Sequence, residues 1–303
     1  SGQLMAGPDP AWRNCIAVTG TTLFSTAGQV LQGWHVEIGQ TVWRGGLDEP
    51  VTCVAVSPDG ERLAASGPSL HVTIWNLARQ AVEQVLTHTR GPIVAPAFSA
   101  DGRLLATASV TDGLLWLWRL GEAEAILVIP EAADNCTLEA IAFHPSGKYL
   151  AVGGIDWLAT SGSEGALCVW DLEARDKLLT LEAGVTALAF DPSGRYLAAG
   201  TYRQDSQVVV MWDFEKQEKV FELPGHHDRV HAVSFSPDGS WLVSASEDCT
   251  VRVWNVLTGR LVVARQLGAA VHSLAFSADG KYLFTGNGNL TSYRLSMAKL
   301  LED

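Results

Sequence analysis

The chain has few cysteines and no long apolar run. These two features bear on its cellular compartment and on whether it crosses a membrane. Its five cysteines, Cys15, Cys53, Cys136, Cys168 and Cys249, show no paired spacing. Most fall in strand-like segments, where cysteine acts as a small apolar side chain. We therefore expect a reducing, cytoplasmic compartment. No stretch approaches the roughly 18 apolar residues that a membrane-crossing helix needs, so we expect no membrane partner.

Basic residues are also scarce. Lys and Arg number 21 against 33 Asp and Glu, which gives a formal net charge of −12. Binding to a nucleic-acid backbone depends on Lys and Arg neutralising phosphates, and the chain has no basic run. A nucleic-acid partner is therefore not expected.

The N-terminus also lacks the basic and apolar segments of a secretory signal. We expect residues 1–303 to form a single domain that belongs to a longer polypeptide.

The local signatures of catalysis are absent from the sequence. There is no Gly-x-Ser-x-Gly elbow, no phosphate-binding loop, no His-Glu-x-x-His, no Cys-x-x-Cys and no calcium loop. We therefore predict that the chain is not an enzyme and carries no cofactor or metal. The alternative is an enzyme or small-ligand binder whose site is assembled from several distant segments.

What the sequence does contain is a repeated turn. Its glycines are 42, 45, 47, 45 and 41 residues apart, and the six copies are Ser57-Pro-Asp-Gly60, Ser99-Ala-Asp-Gly102, His144-Pro-Ser-Gly147, Asp191-Pro-Ser-Gly194, Ser236-Pro-Asp-Gly239 and Ser277-Ala-Asp-Gly280. In these turns Pro presets φ, Asp bonds its own backbone, and Gly accepts a positive φ at no steric cost.

Each turn is followed by a strand that ends in an aromatic residue, and a degenerate first unit adds a seventh copy. The aromatic residues are Trp34, Trp75, Trp118, Trp170, Trp212, Trp254 and Tyr293. Flanking segments such as Val230 to Phe235 and Trp241 to Ser246 alternate toward one buried face, which is typical of half-buried strands. A period of 40 to 45 residues with four short strands is typical of a propeller blade. The sequence therefore predicts an all-β fold, a seven-bladed β-propeller of four-stranded antiparallel blades.

The sixth unit carries the most complete copy of the pattern, with Gly225-His226, Phe235 to Gly239, Ser246-Glu247-Asp248 and Trp254 in order. It resembles the WD-repeat family of β-propellers, and the overall pattern resembles the bacterial members attached to signalling proteins. In that family a buried hydrogen-bonded tetrad of a His, an Asp, a Ser or Thr and a Trp holds the strands of a blade together. The resemblance implies this structural role for His226, Asp248, Trp254 and either Ser244 or Ser246, and a partial version for His88, Asp112 and Trp118.

The resemblance also implies how the ring closes. In the family the N-terminal segment supplies the outer strand of the last blade, and Gln3 to Ala6 occupy that position here. Residues Met297 to Leu301 could instead compete for this edge or form a helical tail. Closure would remove the exposed strand edges that promote aggregation.

The fourth unit is longer than the others. Phe143 and Trp170 are 27 residues apart, whereas the ordinary units need 16 to 20. We assign the insertion to Gly153 to Thr160, between the second and third strands, on the face where partners of this family bind. Ile155, Asp156, Trp157 and Leu158 would then form a projecting anchor for a partner. The alternative is that Trp157 starts an ordinary second strand and the extra residues lie earlier, at Leu150 to Asp156.

Family spacing also implies which side chains surround the mouth of the central channel. These candidates are Trp12, Asn14, Thr137, Glu139, Ser163, Asp205, Arg229, His231, Glu247 and His272. Their mixture of charged, aromatic and small residues suits a protein or peptide. We therefore predict an interaction scaffold or sensor module; a structural subunit of a large complex is a further alternative. A metal role for His227, Asp228 and His231 competes with a structural one, which we favour because Arg229 adds a like charge.

Overall fold

The repeated turns lead into strands in the structure, as their chemistry predicts. The structure is a computed structural model that describes residues 15–88, 93–109, 113–130, 132–133, 136–156, 165–202, 207–289 and 291–302. Within these ranges lie 27 β-strands and one helix. The strands form seven antiparallel sheets, in each of which sequence neighbours pair.

The first four sheets each contain four strands and are numbered as blades 1 to 4. Their strands are β1 Ile16–Thr19, β2 Thr22–Ala27, β3 Val30–His35, β4 Thr41–Gly46; β5 Cys53–Val56, β6 Arg62–Ser66, β7 His71–Asn76, β8 Ala81–Thr87; β9 Ile93–Phe98, β10 Leu104–Ser109, β11 Leu115–Arg119, β12 Ala125–Ile129; β13 Thr137–Phe143, β14 Tyr149–Ile155, β15 Gly165–Asp171 and β16 Asp176–Glu182.

Blades 5 and 6 also have four strands, and three strands of blade 7 lie in the described ranges. These strands are β17 Gly184–Phe190, β18 Tyr196–Tyr202, β19 Gln207–Asp213, β20 Glu218–His226; β21 Val230–Phe235, β22 Trp241–Ser246, β23 Thr250–Asn255, β24 Leu261–Gln266; β25 Val271–Phe276, β26 Tyr282–Asn287 and β27 Ser292–Ser296.

The blades are arranged in a closed ring. The first strand of each blade contacts the first strand of the next, in the order β1, β5, β9, β13, β17, β21 and β25. Strand β25 in turn contacts β1, so the last blade meets the first. The predicted seven-bladed, four-stranded antiparallel propeller is therefore confirmed. The innermost strands of the blades surround the central axis, as in other propellers.

The turn between the first two strands of a blade is stabilised by its own side chains. In blade 2 the Ser57 hydroxyl donates to Asp59 Oδ1 at 2.5 Å and accepts from the Arg62 N–H at 2.9 Å. Gly60 has a φ of +72°, which favours glycine at this position. The hydrogen bond from Ser57 also lowers the pKa of the Asp59 carboxyl. The turn chemistry predicted from the sequence therefore determines where β5 ends and β6 begins.

The buried faces follow one register in six of the blades. A leucine of the second strand pairs with a tryptophan of the third, as Leu63 does with Trp75 and Leu242 with Trp254. Blade 7 differs, because Leu283 pairs with Leu295, while Tyr293 lies opposite Thr285. The assignment of Tyr293 to the shared aromatic position was therefore wrong. The true equivalent, Leu295, is aliphatic and carries no aromatic signal.

The last blade is followed by a short helix, α1 (Met297–Glu302), which packs on β24 and β27 and buries Met297 and Leu300. Of the two alternatives for Met297 to Leu301, the structure has the helix. The predicted closing strand, Gln3 to Ala6, lies outside the described residues. In the described part of the chain, no helix has the length and apolar character needed to cross a membrane.

Glycines in the second strands allow neighbouring blades to approach closely. A Cβ atom at Gly153 in β14 would lie 2.4 Å from Val185 Cγ1 in the next blade, and one at Gly200 would lie 2.7 Å from Val230 Cγ1. Val185 and Val230 are fully buried. Because buried valines can move little, these glycines set the spacing between blades 4, 5 and 6.

We predict that Gly153→Ala lowers the free energy of unfolding by about 1–3 kcal/mol, the usual cost of overpacking a core. Gly268→Ala is the matched control, because a Cβ there would meet only the Tyr293 hydroxyl at 3.7 Å. This control should change stability by less than about 0.5 kcal/mol. Urea unfolding measures both effects. Equal changes in the two variants would contradict the proposed steric contact.

Candidate interaction face

The strand directions define two different faces of the propeller. The start of the first strand, the end of the second and the start of the third all meet at one end of an antiparallel blade. We call this end the upper face, and the end that carries the Ser-x-Asp-Gly turns the lower face. Arg229 precedes β21, Glu247 follows β22, and Asp156 follows β14, so all three lie on the upper face.

An ion pair joins two blades that are not neighbours. Arg229 Nη2 of blade 6 donates to Glu139 Oε2 in β13 of blade 4 at 2.7 Å, passing blade 5. Both side chains are largely buried, with 16% and 18% of their surface exposed. Both residues were predicted at the channel mouth from family spacing. Their pairing was not predicted, because they are 90 residues apart and no local pattern connects them.

Two histidines and a glutamate meet between blades 6 and 7. His231 Nε2 lies 2.6 Å and His272 Nε2 lies 3.3 Å from Glu247 Oε2. The two imidazole rings meet edge to face, with 4.8 Å between their centroids. We call these three residues the His-Glu-His cluster. The small-ligand alternative predicts that Glu139, Asp205, His231 and His272 share one site. The two histidines meet here, whereas Glu139 pairs with Arg229 and Asp205 lies outside the described residues. Their common neighbour Glu247 comes from the turn after β22.

Burial and the two neighbouring histidines have opposite effects on the pKa of the Glu247 carboxyl. Burial alone would raise the pKa of the Glu247 carboxyl, but hydrogen bonding and charge from His231, and then from His272, lower it overall. The glutamate is therefore a carboxylate, and its side chain is 45% exposed. The His231 side chain is only 7% exposed. A buried imidazole and an accessible carboxylate thus meet on the upper face.

The remaining predicted positions are divided between described and undescribed parts of the chain. Thr137 begins β13 and is half-buried on the upper face. The other predicted upper-face candidates lie outside the described residues; they are Trp12, Asn14, Trp157, Leu158, Ser163 and Asp205. Their role in partner binding stays a prediction.

The insertion in blade 4 lies later in the chain than predicted. Strand β14 extends through Ile155, which pairs with Thr137 and Gly165 and is only 1% exposed. The predicted placement of Gly153 to Ile155 in a projecting loop was therefore wrong, and so was the alternative in which Trp157 starts the second strand. The connection between β14 and β15 comprises residues 156–164, the longest connection between second and third strands. Asp156 is its exposed first residue.

The predicted tetrad residues of blade 6 are joined in a chain of hydrogen bonds. His226 Nδ1 donates to Asp248 Oδ2 at 2.9 Å, and its Nε2 accepts from the Ser244 hydroxyl at 2.8 Å. Trp254 Nε1 donates to the same hydroxyl oxygen at 2.9 Å. Ser246 is not part of this hydrogen-bonded network, and its hydroxyl donates to the Asp228 carbonyl at 2.8 Å. These contacts place Ser244, rather than Ser246, between the histidine and the tryptophan.

Burial and hydrogen bonding determine the charge states in this network. Burial lowers the pKa of the His226 imidazole, against the opposing effect of Asp248. Burial alone would raise the pKa of Asp248, but hydrogen bonds from Thr250, the His227 N–H and His226 bring it down to about 2. With a neutral imidazole beside a carboxylate, every donor of this network has an acceptor. The network is thus suited to holding strands together.

Blade 3 contains a shorter version of the same arrangement. Thr107 Oγ1 accepts from Trp118 Nε1 at 2.9 Å and lies 2.7 Å from His88 Nε2. All three side chains are buried. Asp112, which was predicted to complete this version, lies outside the described residues.

The chain belongs to the WD40 repeat family. The family described as "WD domain, G-beta repeat" matches six segments, residues 40–76, 81–119, 131–171, 176–213, 217–255 and 263–291. Four of these segments, 40–76, 81–119, 176–213 and 217–255, run from the outer strand of one blade to the third strand of the next. The predicted WD-repeat resemblance is therefore confirmed.

Comparison with curated proteins finds similarity to parts of several longer proteins. It is 30% identical to WD repeat-containing protein 36 of Homo sapiens over 47% of this chain and 16% of that protein. It is 23% identical to striatin of Rattus norvegicus over 77% of this chain and 32% of that protein. It is 26% identical to protein groucho of Drosophila melanogaster over 80% of this chain and 32% of that protein.

The chain thus spans less than a third of the length of each of these three relatives. All three are animal proteins, so they give no support to the expected bacterial type.

The His226 network predicts how stability depends on pH. Because the folded-state pKa of His226 is below the unfolded value of about 6.5, its contribution is fully present above that pH. This contribution is lost as the pH falls through the folded-state value. Asp248 adds a second loss between about pH 4 and pH 2, since its pKa is about 2 in the folded state.

We expect the melting temperature to decline from pH 7 to pH 5, and His226→Gln to reduce this decline while lowering stability at pH 7 by about 1–3 kcal/mol. Burial lowers the pKa of His144 as well, so part of the slope should remain. The exposed neighbour variant His227→Gln serves as the control. Thermal unfolding followed by circular dichroism measures each slope, and an unchanged slope in His226→Gln would contradict the assignment.

Proposed function

We propose that this WD40 propeller is a non-catalytic interaction module that binds a protein or peptide on its upper face. The observation that carries the proposal is the long connection of residues 156–164 in blade 4, which begins on the same face as the Arg229–Glu139 pair. Connections between the strands of a rigid scaffold commonly carry binding residues. Trp157 and Leu158 in this connection have the chemistry of interface anchors.

The charged groups at the channel mouth support recognition of a polar segment beside these anchors. Arg229, Glu139 and Glu247 present charge of both signs, and each is held by a contact within the propeller. Preorganised groups of this kind lose little side-chain entropy on binding. The net charge of −12 favours partners that carry basic residues, because complementary potentials increase the rate of encounter.

The alternative of a structural subunit has less support from the surface. It would require an extended apolar patch, whereas the exposed apolar residues on the outer strands are spread over blades 1 to 6. They are Val42, Val82, Val85, Val128, Leu178, Val220, Leu261 and Val262. Apolar residues scattered in this way are ordinary for a protein surface. Among the residues that the structure describes, the His-Glu-His cluster is the feature that favours the small-ligand alternative.

We predict that Arg229→Glu and Trp157→Ala each weaken partner binding by about 30-fold, which corresponds to the roughly 2 kcal/mol of an interface hot spot. The partner would first be identified by crosslinking to the intact chain, and its affinity for each variant would then be measured by calorimetry. Arg229→Glu should have the larger effect on the rate of association, because it places a third carboxylate near Glu139 and Glu247.

Arg103→Glu is the matched control, since Arg103 is an exposed arginine in a lower-face turn. It should leave the affinity unchanged. If both upper-face variants bind as tightly as the unmodified chain, the proposed face is wrong. If Arg103→Glu alone weakens binding, the partner binds the lower face.

A further inference from the structure

The His-Glu-His cluster has the composition and geometry of a metal site. Its ligand atoms all lie within 4.8 Å of one another. The residues come from two blades, with His231 in β21, Glu247 after β22 and His272 in β25. We propose that His231, Glu247 and His272 bind a divalent transition-metal ion of the zinc type that bridges blades 6 and 7. This inference is independent of the proposed partner binding.

The donor set selects the type of ion. Two imidazoles and one carboxylate suit zinc, cobalt, nickel and copper, whereas magnesium and calcium prefer oxygen ligands alone. Three protein ligands leave the fourth tetrahedral position open to water or to a partner's side chain. The site would therefore be an open one rather than a closed structural one.

The two distances from the histidines to Glu247 are close to those that an ion would require. Metal–ligand bonds of about 2.0–2.1 Å place tetrahedral ligands about 3.3 Å apart. His272 Nε2 already lies 3.3 Å from Glu247 Oε2. His231 Nε2 lies 2.6 Å from the same oxygen. Glu247 is 45% exposed and sits at the end of a flexible side chain. A small movement of its carboxylate would open the shorter distance.

The backbone around the cluster holds its members in position. The Glu247 N–H donates to the Arg229 carbonyl at 2.9 Å, and the Gly288 N–H donates to the Ala270 carbonyl at 2.8 Å. A Cβ atom at Gly288 would lie 3.1 Å from His272 Cε1. The absence of a side chain at Gly288 thus gives the His272 ring its room.

The nearby charges are compatible with a bound cation. Arg229 is two residues from His231, and its guanidinium pairs with Glu139, which offsets the like charge that argued against a metal in this segment. The ion would be held by nitrogen and oxygen.

The experiment is a titration of the intact chain, carrying no added histidines, with CoCl₂ and then ZnCl₂. We expect one Co²⁺ per chain with visible absorption that Zn²⁺ displaces, and a rise in melting temperature with ZnCl₂ because the ion binds only the folded state. His272→Ala and Glu247→Gln should each weaken Co²⁺ binding by at least about 100-fold, since changes to mere supporting residues of metal sites cost 10–100-fold.

His227→Ala and Cys249→Ser are the controls, as both residues are close in sequence to the cluster but outside it. Both should keep the Co²⁺ affinity and the rise in melting temperature. The proposal is overturned if the unmodified chain takes up no stoichiometric Co²⁺. It is equally overturned if His272→Ala and Glu247→Gln bind as tightly as the unmodified chain, or if either control abolishes binding.

Discussion

The whole structure depends on the burial of each blade's faces against its neighbours. The leucines of the second strands, Leu63, Leu105, Leu150, Leu197, Leu242 and Leu283, are at most 2% exposed. A single four-stranded sheet cannot bury such residues alone, so each blade needs the next. The close contacts of Gly153 with Val185 and of Gly200 with Val230 show how tightly this packing is specified. Once the ring closes, the position of every first strand around the axis is determined.

The hydrogen-bonded networks reinforce this packing without being required in every blade. In blade 6 hydrogen bonds join four side chains, from Asp248 to Trp254. In blade 3 Trp118 donates to Thr107, which also contacts His88. Trp170 of blade 4 instead donates to the backbone carbonyl of Ala132 at 3.0 Å. In these three blades the tryptophan N–H is satisfied by a different partner each time. Buried polar groups need partners, and packing leaves several ways to supply them.

The sequence predicted the fold well because its signals are local. Turn residues such as Ser236, Asp238 and Gly239 act within a few positions of one another, and their spacing identified the blades. The errors arose where local patterns are ambiguous. Tyr293 is an aromatic residue in the right strand, but it lies two residues from the position that pairs with the leucine of the second strand. Ile155 is apolar because it is buried in the blade, so its side chain is not available to a partner. Neither register nor burial can be read from residue type alone.

The site was less predictable, because the ring brings together residues that are far apart in the chain. The lower-face turns use their polar side chains on their own backbone, as Asp191 does when its Oδ1 accepts from the Tyr196 N–H at 2.6 Å. On the upper face the Arg229–Glu139 pair and the His-Glu-His cluster connect different blades. Folding of an individual blade does not require these contacts, so the repeat pattern does not dictate them. These contacts on the upper face therefore have to be read from the structure rather than from the repeat.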